Sequence, residues 1–506
     1  MSHPMDSVPL QITLPGQVYA ASLAEMARSF AVDVEVARDP DDQSLCLRFY
    51  YPSTLPRDQV DQTLKKLEMD LQDLAKPNQP KVAAYLPATS AYKPEENAQK
   101  QAMKSRLYQF LQELSPSERP WGALTGIRPS YLPTRMLAHG LRPDEIPSLL
   151  VTQYQVKADK AALALELAQV EAEILGEVPP KAALIYVGIP ICPSRCTYCS
   201  FVAQDAKRYM GFLDTYVEAI LQEVKGVFQD PGWREAYSYP ALYIGGGTPS
   251  ILSEKQLEYL LKGLLETIPV TDGVEFTVEA GRPDTLNREK LDVMASAGVN
   301  RLCLNPQTLS NATLERVNRR HTAEDFFRIY ELARTLPFAD LNADLIMGLP
   351  GEGPEDFLTS VRGLLALDPP LESLTLHSLA LKRAAQIQQS DGAWFLPNEP
   401  SPEWEEALGE AYRLLREKAY QPYYLYKQKY ALGGLENVGF ALPGSRSIYN
   451  TCMMSDLYPV LGFGAASSSK KVLDGRVERC FNPKDLQDYA LRVEEMVQRK
   501  RDLFAS

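Results

Sequence analysis

Short apolar runs alternate with helical patterns over residues 182–380. Continuous apolar strands of this length, separated by helices, are typical of a parallel sheet covered by helices. The pattern predicts a partial (βα)6 barrel, short of a closed eightfold barrel. The predicted strands are Ala183–Val187, Ala241–Ile244, Val274–Val278, Arg301–Leu304, Leu341–Ile346 and Leu374–Leu379, and the predicted helices cover 211–228, 254–267, 287–297, 311–335 and 354–367.

Different patterns flank this barrel. Residues 32–36 and 44–49 alternate apolar and polar positions, as half-buried strands do. A Gly- and Pro-rich segment at 120–129 predicts an ordered turn. Helical patterns cover 57–75, 97–114, 143–155 and 157–177 before the barrel, and 403–419 and about 483–501 after it. We therefore predict an α/β protein with three parts: an N-terminal α+β domain (1–178), the barrel core (179–385) and a C-terminal α/β region that caps the substrate (386–506).

The composition of the chain argues against several classes of protein. The formal net charge is -12, whereas a generic nucleic-acid binder has a basic balance. No apolar run reaches the roughly 18 residues that a membrane span needs. The first residues lack the basic and apolar regions of a secretory signal, so we expect a cytoplasmic protein.

Three of the seven cysteines lie within eight residues, just after the first predicted barrel strand. In a reducing compartment, clustered thiols indicate metal ligands before disulfides. Cys192, Cys196 and Cys199, spaced CxxxCxxC, suit three irons of one [4Fe-4S] cubane. Since closed cluster sites take four cysteines, one iron stays open. S-adenosylmethionine (SAM) can chelate that iron through its amino and carboxylate groups.

A structural zinc site is the alternative interpretation of the cysteine loop. Tetrahedral zinc prefers paired CxxC knuckles or a histidine partner. The chain has only four histidines, and none lies in such a pattern. The spacing therefore favours the cluster over zinc.

Several further motifs accompany the cysteine loop in order and spacing. They resemble the oxygen-independent coproporphyrinogen III oxidases, a family of radical SAM enzymes, and the long N-terminal part resembles the extended branch of that family found in Gram-positive bacteria. The motifs are Tyr186-Val187-Gly188-Ile189-Pro190, Gly245-Gly246-Gly247-Thr248-Pro249, Glu279-Ala280-Gly281-Arg282-Pro283, Pro306-Gln307-Thr308, Val317-Asn318-Arg319-Arg320-His321 and Asp344-Leu345-Ile346-Met347-Gly348-Leu349-Pro350.

The resemblance implies a set of SAM-binding residues. Glycines without Cβ let a backbone approach a ligand closely or form a tight turn, and carboxylates at barrel strand ends are often functional. Glu279 and Asp344 are predicted to end the third and fifth strands. The implied residues are Gly246, Gly247 and Thr248 in the turn after the second strand, Glu279, Asp344, Gln307 and Arg319 as SAM contacts (the last two for one or a second SAM), and Tyr186 and Tyr198 as aromatic neighbours.

The resemblance also implies a reaction and its partners. A 5′-deoxyadenosyl radical formed from SAM takes a hydrogen from the β-carbon of a propionate of coproporphyrinogen III. Loss of CO2 and one electron leaves a vinyl group, and two such steps give protoporphyrinogen IX for heme biosynthesis. The implied partners are this porphyrinogen and an electron donor such as flavodoxin or ferredoxin. Candidate clamps for the propionates are Lys382, Arg383, Lys427, Lys429 and Arg446, although solvated surface cations explain them equally well.

Two positions depart from the well-studied members of this family. Gly188 stands where they carry histidine, and Phe201 where they carry a fourth cysteine. The Cys-x-Phe ending is shared with relatives that resemble heme chaperones. A heme carrier that keeps the cluster and SAM, with His321 or His377 as heme ligand, is therefore one alternative. A radical SAM enzyme that acts on tRNA or on another substrate is a second alternative, and the acidic net charge of the chain counts against tRNA.

Overall fold

The computed structural model describes residues 7–14, 20–28, 30, 34–38, 45–52, 55–74, 94–114, 118–126, 128–199, 204–380, 401–473 and 476–505. Chain contacts divide them into two compact units. One holds the described residues up to Gln169 together with residues 401–402 and Tyr426–Glu436, and the other holds the remaining described residues from Val170 onward. This division does not follow the three predicted domains, whose boundaries and roles stay a prediction.

The first unit contains a three-stranded antiparallel sheet in the order β1-β3-β2. The two predicted strands are confirmed as β2 and β3, whereas β1 and the helix after it were not predicted. Apolar side chains such as Ile12, Leu47 and Leu107 form its core. The elements are β1 (Ser7–Leu14), α1 (Ala20–Arg28), β2 (Val34–Arg38), β3 (Leu45–Pro52), α2 (Arg57–Leu74), α3 (Pro94–Leu114), α4 (Tyr131–Ala138), α5 (Ile146–Tyr154) and the first part of α6 (Ala158–Glu177), a helix that continues into the second unit after Gln169.

The second unit is built on six parallel strands that neighbour one another in chain order, which confirms the predicted partial barrel. Helices cover the sheet and bury the side chains of these strands, which is why the strands are apolar. These strands are β4 (Leu184–Ile189), β7 (Tyr239–Gly246), β8 (Val270–Glu279), β9 (Arg301–Cys303), β10 (Asp340–Met347) and β11 (Ser373–Ser378).

Helices connect these strands close to the predicted positions, with one difference. The single helix predicted over 311–335 is two helices, because the chain turns at Asn318, whose φ is 61°. The turn places residues 317–319 beside the cysteine loop. The helices are α7 (Ala206–Tyr209), α8 (Leu213–Phe228), α9 (Pro231–Ala236), α10 (Glu254–Thr267), α11 (Arg288–Ser296), α12 (Asn311–Arg316), α13 (Ala323–Arg334) and α14 (Pro354–Leu365).

The C-terminal residues extend the same sheet at both edges. One addition pairs antiparallel with β11, and another pairs parallel with β4. The six parallel strands and these additions form one eleven-stranded sheet. The elements are α15 (Pro402–Glu417), β12 (Gln421–Tyr426), β13 (Asn437–Ala441), α16 (Ile448–Ser455), β14 (Val460–Phe463), β15 (Ser468–Leu473), β16 (Arg476–Phe481), α17 (Leu486–Leu491) and α18 (Val493–Ala505); the last two replace one predicted helix over 483–501. Among the described helices, none combines the length and apolarity that crossing a bilayer requires.

Candidate functional site

The three clustered cysteines lie in the loop that leaves the carboxyl end of β4. Cys192 ends the short strand β5 (Ile191–Cys192), which pairs with β6 (Gln204–Asp205). The amide of Cys199 donates to the carbonyl of Cys196 at 3.1 Å, closing a turn. All three cysteines are half-buried. Burial raises the pKa of Cys192 to about 11, so its thiol is protonated at pH 7.

The glycine turn after β7 packs directly against the start of the cysteine loop. A Cβ on Gly247 would lie 2.6 Å from the amide nitrogen of Ile191, and Gly246 has a φ of +111°. The amides of Gly247 and Thr248 donate to the carbonyls of Ile189 and Ile191, each at 2.9 Å. The glycines are therefore required by packing and backbone conformation, and their contact with SAM stays a prediction.

Thr248 ties this turn to the first cysteine. Its Oγ1 lies 3.4 Å from Cys192 Sγ, to which it donates, and its side chain is buried. Hydrogen bonds to cluster sulfurs tune the reduction potential of iron–sulfur sites. The predicted residue Thr248 thus contacts a predicted cluster ligand directly.

Glu279 ends β8, as predicted, and lies under the glycine turn. Its Oε2 accepts a hydrogen bond of 3.3 Å from the amide of Gly246. Burial raises the pKa of this carboxyl, and the nearby charge of Asp344 adds to the effect, while a bond from Tyr243 opposes it. The ring of Tyr186 stacks on that of Tyr243, with centroids 6.2 Å apart. The predicted residues Glu279 and Tyr186 therefore share one wall of the barrel interior.

Asp344 lies inside β10 and not at its end, which corrects the sequence prediction. The strand continues to Met347 because its pairing with β11 persists as far as Ser378. Asp344 Oδ1 accepts from Asn342 Nδ2 at 2.9 Å, and Oδ2 lies 3.5 Å from Nε2 of His377. Burial opposes ionisation, but His377 and the hydrogen bonds outweigh it and lower the pKa of Asp344. The side chain is an ionised carboxylate within the barrel.

Gln307 follows β9 in a left-handed conformation, with a φ of 70°. Its amide donates to the carbonyl of Asp344 at 3.0 Å, and its carbonyl accepts from Ile346 at 2.9 Å. Side-chain Oε1 is buried and has no hydrogen-bond partner among the described residues. A non-glycine residue at positive φ is uncommon, and the two main-chain bonds to β10 hold it there.

Arg319 bridges three loops at the carboxyl ends of the strands. Nη1 donates to the hydroxyl of Tyr198 at 3.1 Å, and Nη2 donates to the carbonyls of Gly281 and Asn305 at 2.9 and 2.8 Å. The side chain is buried, and Nε is without a partner in the described part of the chain. Tyr198 is half-buried, and its partial desolvation raises its pKa.

Sequence reasoning missed the side chains that hold the cysteine loop. Arg282 bonds Ser194 and Asp284, and Asn318 bonds the carbonyl of Arg195. Both Arg282 and Asn318 stand in motifs that were noted above, but adjacency in a motif does not reveal a partner about a hundred residues away.

The two histidines proposed as heme ligands differ in environment. His321 is buried, and neither ring nitrogen has a hydrogen bond among the described residues; Nδ1 lies 3.8 Å from Asp284 Oδ1. Burial lowers the pKa of His321, so it is neutral at pH 7. His377 is half-buried beside Asp344. Heme ligation by either stays a prediction.

The candidate propionate clamps have protein partners where the structure describes them. Lys427 Nζ donates to the carbonyl of Leu124 at 3.1 Å, and Lys429 Nζ lies 3.1 Å from Glu25. Arg446 pairs with a glutamate at 2.8 Å. Lys382, Arg383 and Phe201 lie outside the described residues. A Cβ on Gly188 would lie 3.1 Å from the carbonyl oxygen of Ala465.

The residues present suit a cluster and a polar cosubstrate. Among the described residues, no three His, Cys, Asp or Glu side chains are placed to share a single metal ion. A cubane makes no such demand, because each thiolate binds a different iron. Unpaired buried atoms of Gln307, Arg319 and Asn305 lie at the carboxyl ends of the strands, where a polar ligand would supply the missing hydrogen bonds.

Comparisons with known proteins agree with this chemistry. The model of the radical SAM superfamily matches residues 186–363. The oxygen-independent coproporphyrinogen-III oxidase-like protein HemZ of Bacillus subtilis is 33% identical over 419 residues, which are 80% of this chain and 82% of HemZ. The heme chaperone HemW of the same species is 32% identical over 56% of this chain and 69% of HemW.

A solved structure supports the fold. Coproporphyrinogen III oxidase (HemN) from Escherichia coli, described as a radical SAM enzyme, matches with a TM-score of 0.50 and 24% identity. The match covers 65% of this chain and 73% of that one. Together with the cysteine loop at the carboxyl ends of six parallel strands, these likenesses show that the chain belongs to the radical SAM coproporphyrinogen oxidase-like family, which implies a [4Fe-4S] cluster and SAM as cofactors.

Proposed function

We propose that the protein decarboxylates two propionates of coproporphyrinogen III to vinyl groups and so produces protoporphyrinogen IX. The observation that carries the proposal is the position of Cys192, Cys196 and Cys199 on one loop, attached to the Gly-Gly-Thr turn and to Arg319. The likeness to HemZ, named as an oxidase-like protein, supports the substrate class.

Each site residue has a role in this proposal. The three cysteines bind the cluster, and Thr248 donates a hydrogen bond to the first of them. When bound, the cluster and SAM supply a 5′-deoxyadenosyl radical as the hydrogen acceptor. Residues Glu279, Asp344, Gln307 and Arg319 bind SAM through its charged and hydroxyl groups, the last two for the same or a second SAM. Tyr186, Tyr198, Gly246 and Gly247 line that site.

The chemistry requires partners beyond the substrate. For each propionate, a hydrogen atom, CO2 and one electron leave, so the protein needs an electron acceptor as well as a donor. A flavodoxin or ferredoxin is the proposed donor. The barrel interior contributes exclusion of water, which protects a radical from quenching.

An anaerobic assay tests the proposal. Reconstituted protein is incubated with coproporphyrinogen III, SAM and a reductant, and vinyl products and methionine are quantified. We expect both products from the wild type and neither from Cys196→Ala. Cys480→Ala, which changes a half-buried cysteine on β16, is the matched control and should retain both. Methionine release without a vinyl product would reject the substrate but keep the radical chemistry.

A heme carrier is the second candidate, and the likeness to the heme chaperone HemW favours it. In that case the protein binds heme tightly and forms no vinyl product. Heme titration of the wild type, His377→Ala and His321→Ala distinguishes this function, because loss of heme binding in one variant would identify the ligand. Formation of the vinyl product together with weak heme binding would contradict the heme-carrier function.

A further inference from the structure

We propose that Arg282 is a positioning residue that, with the turn Val317–Arg319, holds the cysteine loop in its cluster-binding conformation before iron arrives. The inference rests on the proposed function only in assuming that Cys192, Cys196 and Cys199 bind the cluster. The spacing of the cysteines does not require a loop that is ordered in advance, since a metal can also order a loop that is disordered in its absence.

The first part of the clamp is the guanidinium of Arg282. Nη1 donates to both the carbonyl and the hydroxyl of Ser194, at 3.1 and 2.8 Å. Ser194 lies between the first and second cysteines, and both it and Arg282 are buried. A charged donor that makes two bonds to one residue fixes its orientation as well as its position.

The guanidinium of Arg282 is itself oriented by Asp284. Nε and Nη2 form a paired contact with the two carboxylate oxygens of Asp284, at 3.0 and 3.1 Å. The pKa of Asp284 is held far below its usual value despite partial burial, because the two hydrogen bonds from Arg282 stabilise the charged form. Since an unpaired buried charge is costly, the carboxylate confines the guanidinium to this orientation.

The second part of the clamp is the turn at Asn318. The Ser194 hydroxyl donates to the carbonyl of Asn318 at 2.9 Å, and Asn318 Nδ2 donates to the carbonyl of Arg195 at 2.8 Å. The amide of Thr197 donates to the carbonyl of Val317 at 3.2 Å. Asparagine is one of the few residues that adopts the left-handed conformation seen here readily.

These bonds reach four of the residues between Cys192 and Cys199. Ser194 is bonded to the loop after β8 and to the loop after α12, and Arg195, Thr197 and Tyr198 are bonded to the loop after α12. A binding loop that is ordered in advance loses less conformational entropy when the ligand binds. The clamp therefore increases cluster retention through loop order, with no contact to the cluster itself.

Hydrogen–deuterium exchange on the full-length metal-free protein tests the clamp without the cluster. We expect Arg282→Met to accelerate exchange of the Thr197 amide about tenfold or more, as loss of bonds from a charged donor implies. Arg282→Lys, which keeps the charge and one bond, should fall between. Arg301→Met is the matched control: Arg301 is an equally buried arginine with an aspartate partner, but it begins β9 at the far end of the strands.

Asn318→Gly supplies a milder variant should Arg282→Met not fold. It keeps the positive φ and the main-chain carbonyl but removes the bond to Arg195, and we expect faster exchange at Thr197 in it too. In a second measurement, reconstituted proteins are challenged with a chelator, and the Arg282 variants should lose iron faster than the wild type and Arg301→Met.

The outcomes separate the two proposals. Unchanged Thr197 exchange in both Arg282→Met and Asn318→Gly overturns the clamp, whatever the iron content. Equal acceleration in Arg301→Met also overturns it, because general destabilisation then explains the effect. A wild type that shows protected Thr197 but binds no iron rejects the cluster and leaves the ordered loop established.

Discussion

The guanidinium of Arg319 and the hydroxyl of Tyr198 form a hydrogen bond of 3.1 Å across 121 residues of sequence. Tyr198 lies between the last two cysteines, so the contact joins a predicted SAM residue to the predicted cluster loop. The same guanidinium bonds the carbonyls of Gly281 and Asn305. One side chain thus connects the loops that follow three barrel strands.

Replacing Arg319 should disturb both stability and cosubstrate binding. Arg319→Met leaves two buried carbonyls without a donor, which should lower the free energy of unfolding by about 2–4 kcal/mol. We expect affinity for SAM, measured by equilibrium dialysis with reconstituted protein, to fall by about tenfold or more. Arg320→Met changes the exposed neighbour and should alter stability by less than about 0.5 kcal/mol. Equal SAM affinity in the two variants would show that Arg319 does not contribute to SAM binding.

A methyl group on Gly247 should displace the cysteine loop. Its Cβ would lie 2.6–2.9 Å from backbone atoms of Ile189 and Ile191, which cannot move aside as a flexible side chain can. We expect Gly247→Ala to lose about 1–3 kcal/mol of stability and most of its capacity for iron after reconstitution. Gly409→Ala, on an exposed helical position with no atom within 4 Å, should gain about 0.5–1 kcal/mol instead. Full iron content in Gly247→Ala would contradict the packing argument.

The buried ion pair of Glu223 and Lys500 should affect the free energy of unfolding far more than an exposed ion pair does. Both side chains are fully buried and 2.6 Å apart, and Glu223 also accepts from Asn482, Tyr489 and the amide of Gly464. Lys500→Met leaves an uncompensated carboxylate and should cost about 3–5 kcal/mol in urea unfolding.

Two further variants of that pair check the cause. Adding Glu223→Gln to Lys500→Met should recover part of the loss, because the unpaired charge is then removed. Arg413→Met, which breaks an exposed pair on α15, should change stability by less than about 1 kcal/mol. If the single and double variants were equally unstable, packing and not charge would be responsible.

The buried lysine Lys104 should make stability rise in alkali. Burial lowers its pKa from 10.5 to about 8, so between these values the unfolded chain holds more protons than the folded one. Stability therefore increases as the pH rises from about 8 to 10.5, by up to about 3 kcal/mol. Urea unfolding at several pH values should show a shallower rise in Lys104→Met.

The exposed lysine Lys262 provides the control for that experiment. Its side chain is mostly exposed, and Lys262→Met should keep the slope of the wild type. A slope that is identical in wild type and Lys104→Met would show that Lys104 does not titrate in this range.

Hydrophobic patterning predicted the barrel because its strands are buried and short. Each of the six runs between polar helices recurs as a parallel strand in the structure. The pattern overlooked β1, in which Leu10 and Ile12 alternate with polar residues and are buried. It also joined α12 and α13, because a turn formed by Asn318 leaves the apolar period intact.

Local chemistry determined the candidate site, since the spacing of Cys192, Cys196 and Cys199 is a property of the chain alone. The tertiary structure decided which side chains hold that loop. Arg282 meets Ser194 across 88 residues, and Ser194 meets Asn318 across 124. Contacts at such separations depend on the order and register of the strands, which periodicity does not contain. Sequence therefore specified the candidate ligands, and folding specified the environment that positions them.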